Sequence, residues 1–285
     1  MWSYYLVRGF GYALSLLPFS FWYALSRFFT VLLEKPLRYR QQVINRNLGI
    51  AFPQASKTQR KRWRQGFYRN FTHILFETLK SLSVSRRQMQ RRMTLENREV
   101  LEKLHQQGKG VIMVMGHQGN FEWVAMSMPL LVPQKCYAVY HPLKSAVFNR
   151  LIVHIRQRFG LTLFPMKNTY PFMLENRDPA PLYIFMADQA PHKGRIRYRA
   201  PFFGVDTPVH LGVENLAQRC DLAVVFIDVF RKRPGHYRIV PRLLYEHVQD
   251  LPRYAVTHAH VHALEQLIRQ DPPNWLWSHN RWKNA

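Results

Sequence analysis

Residues 116–123 read Gly-His-Gln-Gly-Asn-Phe-Glu-Trp, directly after the apolar run VIMVM at 111–115. His117 and Glu122 are the two side chains here that can share a proton near neutral pH. Five residues separate them, about 500° of rotation in an ideal helix, so they cannot meet on one helical face. They can meet if His117 ends a strand and Glu122 sits in the first turn of the next helix. Gly116 and Gly119 permit the sharp turn this needs, and Asn120 is a plausible N-cap. The carboxylate of Glu122 would then accept the imidazole N–H, fixing the tautomer and stabilising an imidazolium on the other nitrogen. A turn histidine beside a helix-capping glutamate fits the same spacing.

Other reactive side chains punctuate the chain. Asp188 and Gln189 follow the apolar run PLYIFMA at 181–187, which puts them at a strand end like His117. In RIRYR, Arg195, Arg197 and Arg199 alternate and would share one face of an extended segment, suited to phosphate or an acidic protein. His258, His260 and His262 suggest a metal tract, but only the first and last share a helical face and no carboxylate or cysteine completes a set. No metal is expected. Cys136 and Cys220 provide neither a disulfide framework nor metal spacing, and read as buried thiols.

The elements that must position these residues are legible from hydrophobic pattern. VIMVM, CYAVY (136–140), LTLFP (161–165), PLYIFMA and LAVVFIDVF (222–230) are apolar runs too short for helices, with HYRIVP (236–241) a further strand. Helical stretches near 121–131, 143–159, 168–177, 208–219 and 254–270 alternate with them. Alternation of this kind predicts an α/β fold, a mainly parallel sheet flanked by helices. Sites in such sheets form at the carboxyl ends of the strands. Upstream, about 38–106 is basic and helical, with Ser56 capping a helix whose Phe67, Phe71, Ile74, Leu75, Thr78 and Leu79 recur at helical spacing. In 143–159, Val147, Leu151, Ile155 and Phe159 form an inward stripe that leaves Arg150, Arg156 and Arg158 off it, before Gly160.

The first 33 residues differ in texture. Residues 9–25 carry no charge, are bracketed by Arg8 and Arg27, and contain Pro18 near their middle. Trp2, Tyr4, Tyr5, Trp22 and Tyr23 suit an interfacial belt. Residues 1–33 therefore read as an uncleaved membrane anchor, a kinked span or a hairpin dipping into one leaflet, followed by one catalytic domain over 34–285. A buried N-terminal helix is the competing reading. Lys and Arg total 41 against 17 Asp and Glu, a net charge of +24, which favours an anionic partner. Lys57, Arg60, Lys61, Arg62, Arg64 and Arg69, soon after the anchor, suit anionic headgroups as well as plain solvent.

GHQGNFEW closely resembles the His-x-x-x-x-Asp/Glu motif of the lauroyl/myristoyl acyltransferase family of lipid A biosynthesis. Four further segments resemble that family in the right order, so the likeness spans nearly the whole chain: NRNLGIAFPQAS (45–56), YHPLKSAVFNRLIVHIRQRFG (140–160), ADQAPHKG with PFFG (187–194, 201–204) and WLWSHNRWK (275–283). His141, Gln118 and Phe121 depart from the residues usual in the family.

The resemblance implies a glycerolipid-acyltransferase-like fold and transfer of a fatty acyl chain to a lipid A precursor hydroxyl. His117 would be general base and Glu122 its partner, with no cofactor. It implies an acyl carrier protein thioester as donor, a phosphorylated glycolipid acceptor, and an anionic bacterial inner membrane faced from the cytoplasm. It places an arginine of the 140–160 segment beside the site, for which Arg158 is selected to meet the oxyanion or a phosphate. Asp188 and Gln189 would support the site, and Asn120 would sit against substrate. Another lysolipid or an aminolipid is the alternative acceptor. A nucleic-acid-binding protein is the alternative outside the enzyme class, supported by charge and by Trp63 and Phe67 among basic residues. The apolar N-terminus and the lack of a recognisable binding motif argue against it, so no nucleic-acid partner is expected.

Overall fold

The computed structural model describes residues 2–176 and 178–285. Its centre is a seven-stranded sheet in the order β1 (Met93–Leu95), β9 (His236–Tyr245), β8 (Ala223–Arg233), β2 (Val111–Met115), β5 (Leu182–Met186), β3 (Cys136–Tyr140), β4 (Thr162–Pro165). Every pairing is parallel except β8 with β9. The apolar runs thus become strands for the expected reason: a parallel sheet is covered on both faces, so its strands need apolar side chains in both directions.

β2 shows this most plainly, being buried at all five positions. Its Ile112 and Val114 enter one core, and Val111, Met113 and Met115 the other, as the two-residue repeat of a strand requires. The first core is closed by α3 (Gln41–Ala51), α4 (Lys57–Lys80), α10 (Gly212–Arg219) and α11 (Ala255–Gln270). The second is closed by α1 (Trp2–Ser15), α5 (Arg86–Arg92), α6 (Glu99–Gln106), α7 (Phe121–Leu131) and α8 (Ala146–Gln157). Ser56 caps α4 by accepting from Gln59 N–H, and Leu151, Ile155 and Phe159 are buried as their spacing predicts.

A two-stranded hairpin, β6 (Tyr198–Phe202) and β7 (Val205–Val209), stands apart from the main sheet and is not marked by the apolar pattern. It turns through Phe203 and Gly204, both at positive φ, which matches the twist of a tight hairpin. The expected face of alternate arginines is not formed. Arg195 closes a 3-10 turn, Lys193–Arg195, and Arg199 pairs with Asp206 at 2.5 Å.

The N-terminal segment forms α1 and α2 (Phe19–Glu34), bent by 105° at the break before Pro18. Among the described residues no single helix is long and apolar enough to cross a membrane, though the bent pair together has the required length and composition. Lys80 of α4 fixes the bend by donating to Ser15 O at 2.5 Å and Leu17 O at 2.9 Å, carbonyls that the interrupted helix leaves free. The aromatic belt divides. Tyr4 and Trp22 are buried and Tyr23 hydrogen-bonds to α4, whereas Trp2, Leu6, Phe10, Phe21 and Phe28 are exposed. One side of the helix pair is core, and the other is bare apolar surface.

Candidate active site

In the β2–β5 pairing, Met115 lies opposite Met186. Two residues beyond each partner stand His117 and Asp188, so both side chains emerge at the same height on the carboxyl edge of the sheet. Imidazole Nδ1 and Asp188 Oδ1 are 2.6 Å apart, and His117 N–H donates to Asp188 Oδ2 at 2.9 Å. Trp275 Nε1 donates to the same Oδ2 at 2.8 Å. The carboxylate is buried and accepts on both oxygens.

The charges reinforce one another. Burial alone would lower the imidazole pKa, but the charge and hydrogen bond of Asp188, with the charge of Glu122, outweigh it and hold His117 above the ordinary histidine value. Burial alone would raise Asp188; the imidazole and its hydrogen bonds hold it well below the usual carboxylate range.

The expected hydrogen bond between His117 and Glu122 is therefore replaced by one to Asp188. Glu122 does occupy the first turn of α7 near His117, but it faces α8. There Arg156 Nε and Nη2 donate to its two oxygens at 2.8 and 2.5 Å. This fork-on-fork pairing matches guanidinium and carboxylate geometry. It also holds Arg156 above the ordinary arginine pKa despite burial.

The three arginines of α8 and its cap have separate uses. Arg150 lies over the Tyr4 ring, 4.2 Å from its centre. Arg156 takes Glu122. Arg158, expected at the site, instead donates to Ser81 O and Val84 O, closing the loop after α4. Helix geometry separates the two: residues 156 and 158 differ by about 200° around the axis, so only one can face α7's first turn.

Asn120, expected against substrate, is instead held inside the turn. Its Oδ1 caps α7 by accepting from Trp123 N–H at 2.9 Å, and its Nδ2 donates to Glu77 at 2.7 Å. Fully buried, it supports the turn and is not available to substrate. Gln189 does reach the site, its Nε2 lying 3.5 Å from His117 Nε2, too far for a strong bond but near the free ring nitrogen. Gln118 is buried with neither side-chain oxygen nor nitrogen partnered among the described residues.

The C-terminal segment holds the turn from outside. Leu276 N–H donates to His117 O at 3.1 Å and Gly119 N–H to Asn274 O at 3.0 Å. Asn47 of the NRNLG stretch donates to the carbonyls of Trp277 and His279. His279 accepts from Ala190 N–H, and burial pushes its pKa down to about 4, so it remains a neutral acceptor. Trp275 and Glu77 are supporting residues that spacing does not single out, and Arg156 is one of three arginines off the 143–159 stripe between which spacing does not choose. Trp275 lies within the 275–283 segment that resembles the family, a resemblance that assigns it no role.

A pocket of about 510 Å3 opens at His117. Ala138, Val139, Leu163, Ile184, Val213 and Leu216 give it an apolar lining, while Glu122, Arg156, Gln189 and His210 bring polar groups toward the same space. A much smaller cleft, lined by Phe67, Asn70, Phe71 and Phe121, reaches His117 from the side of α4. Among the described residues no group of three His, Cys, Asp or Glu is placed to hold a metal. The three suspected histidines diverge: His258 bonds Tyr198, His262 bonds Gln266, and His260 is buried.

Fold and site together define an α/β protein whose carboxylate-held histidine stands at the strand ends, before an apolar pocket large enough for a small lipid or acyl group. The chain belongs to the bacterial lipid A biosynthesis acyltransferase family, whose family model matches residues 1–284. It is an acyltransferase. No individual curated protein is matched.

Proposed function

We propose that this acyltransferase moves a fatty acyl chain from an acyl carrier protein thioester to a hydroxyl of a lipid A precursor, with His117 as general base. The observation that carries the reading is the orientation of His117, with Nδ1 committed to Asp188 and the imidazole lining the apolar pocket. With Nδ1 protonated toward the carboxylate, Nε2 is the basic nitrogen.

In this reading the acyl chain lies along Val139, Leu163, Ile184 and Leu216. Nε2 takes the proton of the acceptor hydroxyl, and the oxygen attacks the thioester carbonyl. The C–S bond breaks as the tetrahedral oxyanion collapses, and the imidazolium returns its proton to the departing thiolate. Asp188 stabilises the imidazolium while it lasts. Arg156, held by Glu122, and the Gln189 amide are the donors available to the oxyanion. The chemistry of this sequence requires no covalent enzyme intermediate, because the thioester is already activated.

Residues 1–33 are proposed as the anchor, lying in one leaflet of the inner membrane with the site on the cytoplasmic side. The bare side of the bent pair, with Leu75 and Leu79 of α4 also exposed, supports this placement.

The test is acyl transfer in vitro from dodecanoyl-acyl carrier protein into extracted membrane lipids, followed by mass spectrometry. His117→Ala should abolish transfer while the protein stays folded. Acyl label retained on the protein when acceptor is omitted would overturn the general-base mechanism in favour of an acyl-imidazole.

A further inference from the structure

A buried carboxylate stands behind the active-site turn and does not line the pocket. Glu77, on α4, is 1% exposed. Its Oε1 accepts from Tyr23 O–H of α2 at 3.0 Å; its Oε2 accepts from Tyr237 O–H of β9 and from Asn120 Nδ2, each at 2.7 Å. Its backbone carbonyl accepts from Trp123 Nε1 at 3.1 Å. Among the described residues it makes no salt bridge, and the neighbouring Arg231 donates instead to Asn70 and His73.

A carboxylate buried without a paired cation is costly, and an apolar side chain of similar size would stabilise a core at least as well. What the carboxylate supplies is convergence. It joins four elements at one point, and one of them is the first turn of α7. Asn120 lies three residues after His117 and two before Glu122. With Oδ1 on Trp123 N–H and Nδ2 on Glu77, its amide cannot shift without moving the segment that carries both.

We infer that Glu77 is a positioning residue for acyl transfer: through Asn120 it sets the place of the His117–Glu122 turn, and through Tyr23 it ties that turn to the apolar helix α2. The inference rests on the reading of His117 as the proton-transfer group.

A charge swap tests it. Asn120→Asp keeps an oxygen for the Trp123 cap but sets a second carboxylate against Glu77. Adding Glu77→Gln restores a donor–acceptor pair between the two positions. Full-length variants are assayed in detergent with dodecanoyl-acyl carrier protein and extracted membrane lipid, at a temperature where protease resistance shows each folded. Asn120→Asp should lower kcat by about ten- to a hundredfold, the scale of a small misplacement of reacting groups, with the donor KM little changed. The double variant should recover most of the loss. Hydrogen exchange of the 117–123 amides should rise in Asn120→Asp and return in the double variant.

Wild-type kcat in Asn120→Asp, no recovery in the double variant, or a loss that merely tracks the folded fraction would overturn the inference. His117→Ala serves as the control: if it stays active, the catalytic reading of His117 fails, whatever happens at residues 77 and 120.

Discussion

His117 and Asp188 stand two residues past an aligned pair in adjacent parallel strands, so their contact is set by sheet register before any loop is considered. A one-residue slip would send either side chain to the opposite face.

The first prediction concerns which carboxylate orients the imidazole. Asp188→Asn should reduce turnover by about two to four powers of ten, since an amide cannot both accept from Trp275 and stabilise an imidazolium. Glu122→Gln should cost less, because it loosens Arg156 and leaves the His117–Asp188 bond in place. Steady-state rates for the two purified variants compare them directly; the reverse order would return the orienting role to Glu122.

A second prediction is the pH profile. Only neutral imidazole removes a proton, and His117 is held above its ordinary value of 6.5. Turnover should therefore fall as pH drops through that raised value, and Asp188→Asn should move the acid limb to lower pH. Stability runs the other way. His117 contributes fully below its unfolded pKa, and that contribution is lost as pH rises through its folded value. Asp188 contributes above its ordinary value of 3.8 and loses that contribution as pH falls toward its depressed one. The pair thus stabilises most between these ordinary values, where activity is low. The difference in Tm between wild type and Asp188→Asn across pH measures it.

Arginine exchange separates site from scaffold. Arg156→Ala should lower turnover by about one to three powers of ten if its guanidinium meets the oxyanion. Arg158→Ala should leave turnover of folded enzyme nearly unchanged while costing about 1–3 kcal/mol of stability, from carbonyls left without their charged donor. Thermal unfolding alongside kinetics checks both halves.

Trp275→Phe removes a single donor from Asp188 Oδ2 and keeps most of the packing. The carboxylate becomes easier to protonate, so activity should fall several-fold, and more steeply in acid than in wild type. An unchanged profile would show that the indole N–H contributes packing alone.

The bare side of the N-terminal helices makes a prediction about membranes. Leu6→Lys with Phe10→Lys should weaken binding to anionic vesicles without unfolding the protein, because both positions are exposed. Deleting residues 1–33 should instead aggregate it, since Trp22 covers Phe76 and Tyr23 satisfies Glu77. Vesicle co-sedimentation distinguishes these outcomes.

The sequence by itself determined the alternation of apolar strands and helices, the carboxyl-edge placement of His117 and Asp188, the Ser56 and Asn120 caps and the inward stripe of α8. Each follows from short-range periodicity or capping chemistry, which is written in consecutive residues. Tertiary structure alone decided the partners. Asp188, 71 residues away, reaches His117 because β5 pairs with β2, and periodicity does not encode which strands become neighbours. Glu122 looked like the orienting group because it is near in sequence; its side chain turns to Arg156 because α8 packs beside α7. Arg158 goes to the loop after α4, Trp275 is brought behind the site by the C-terminal segment that bonds the His117 turn, and Glu77 by α4. A carboxylate acquires its role from what converges on it, and that convergence exists only once the chain is folded.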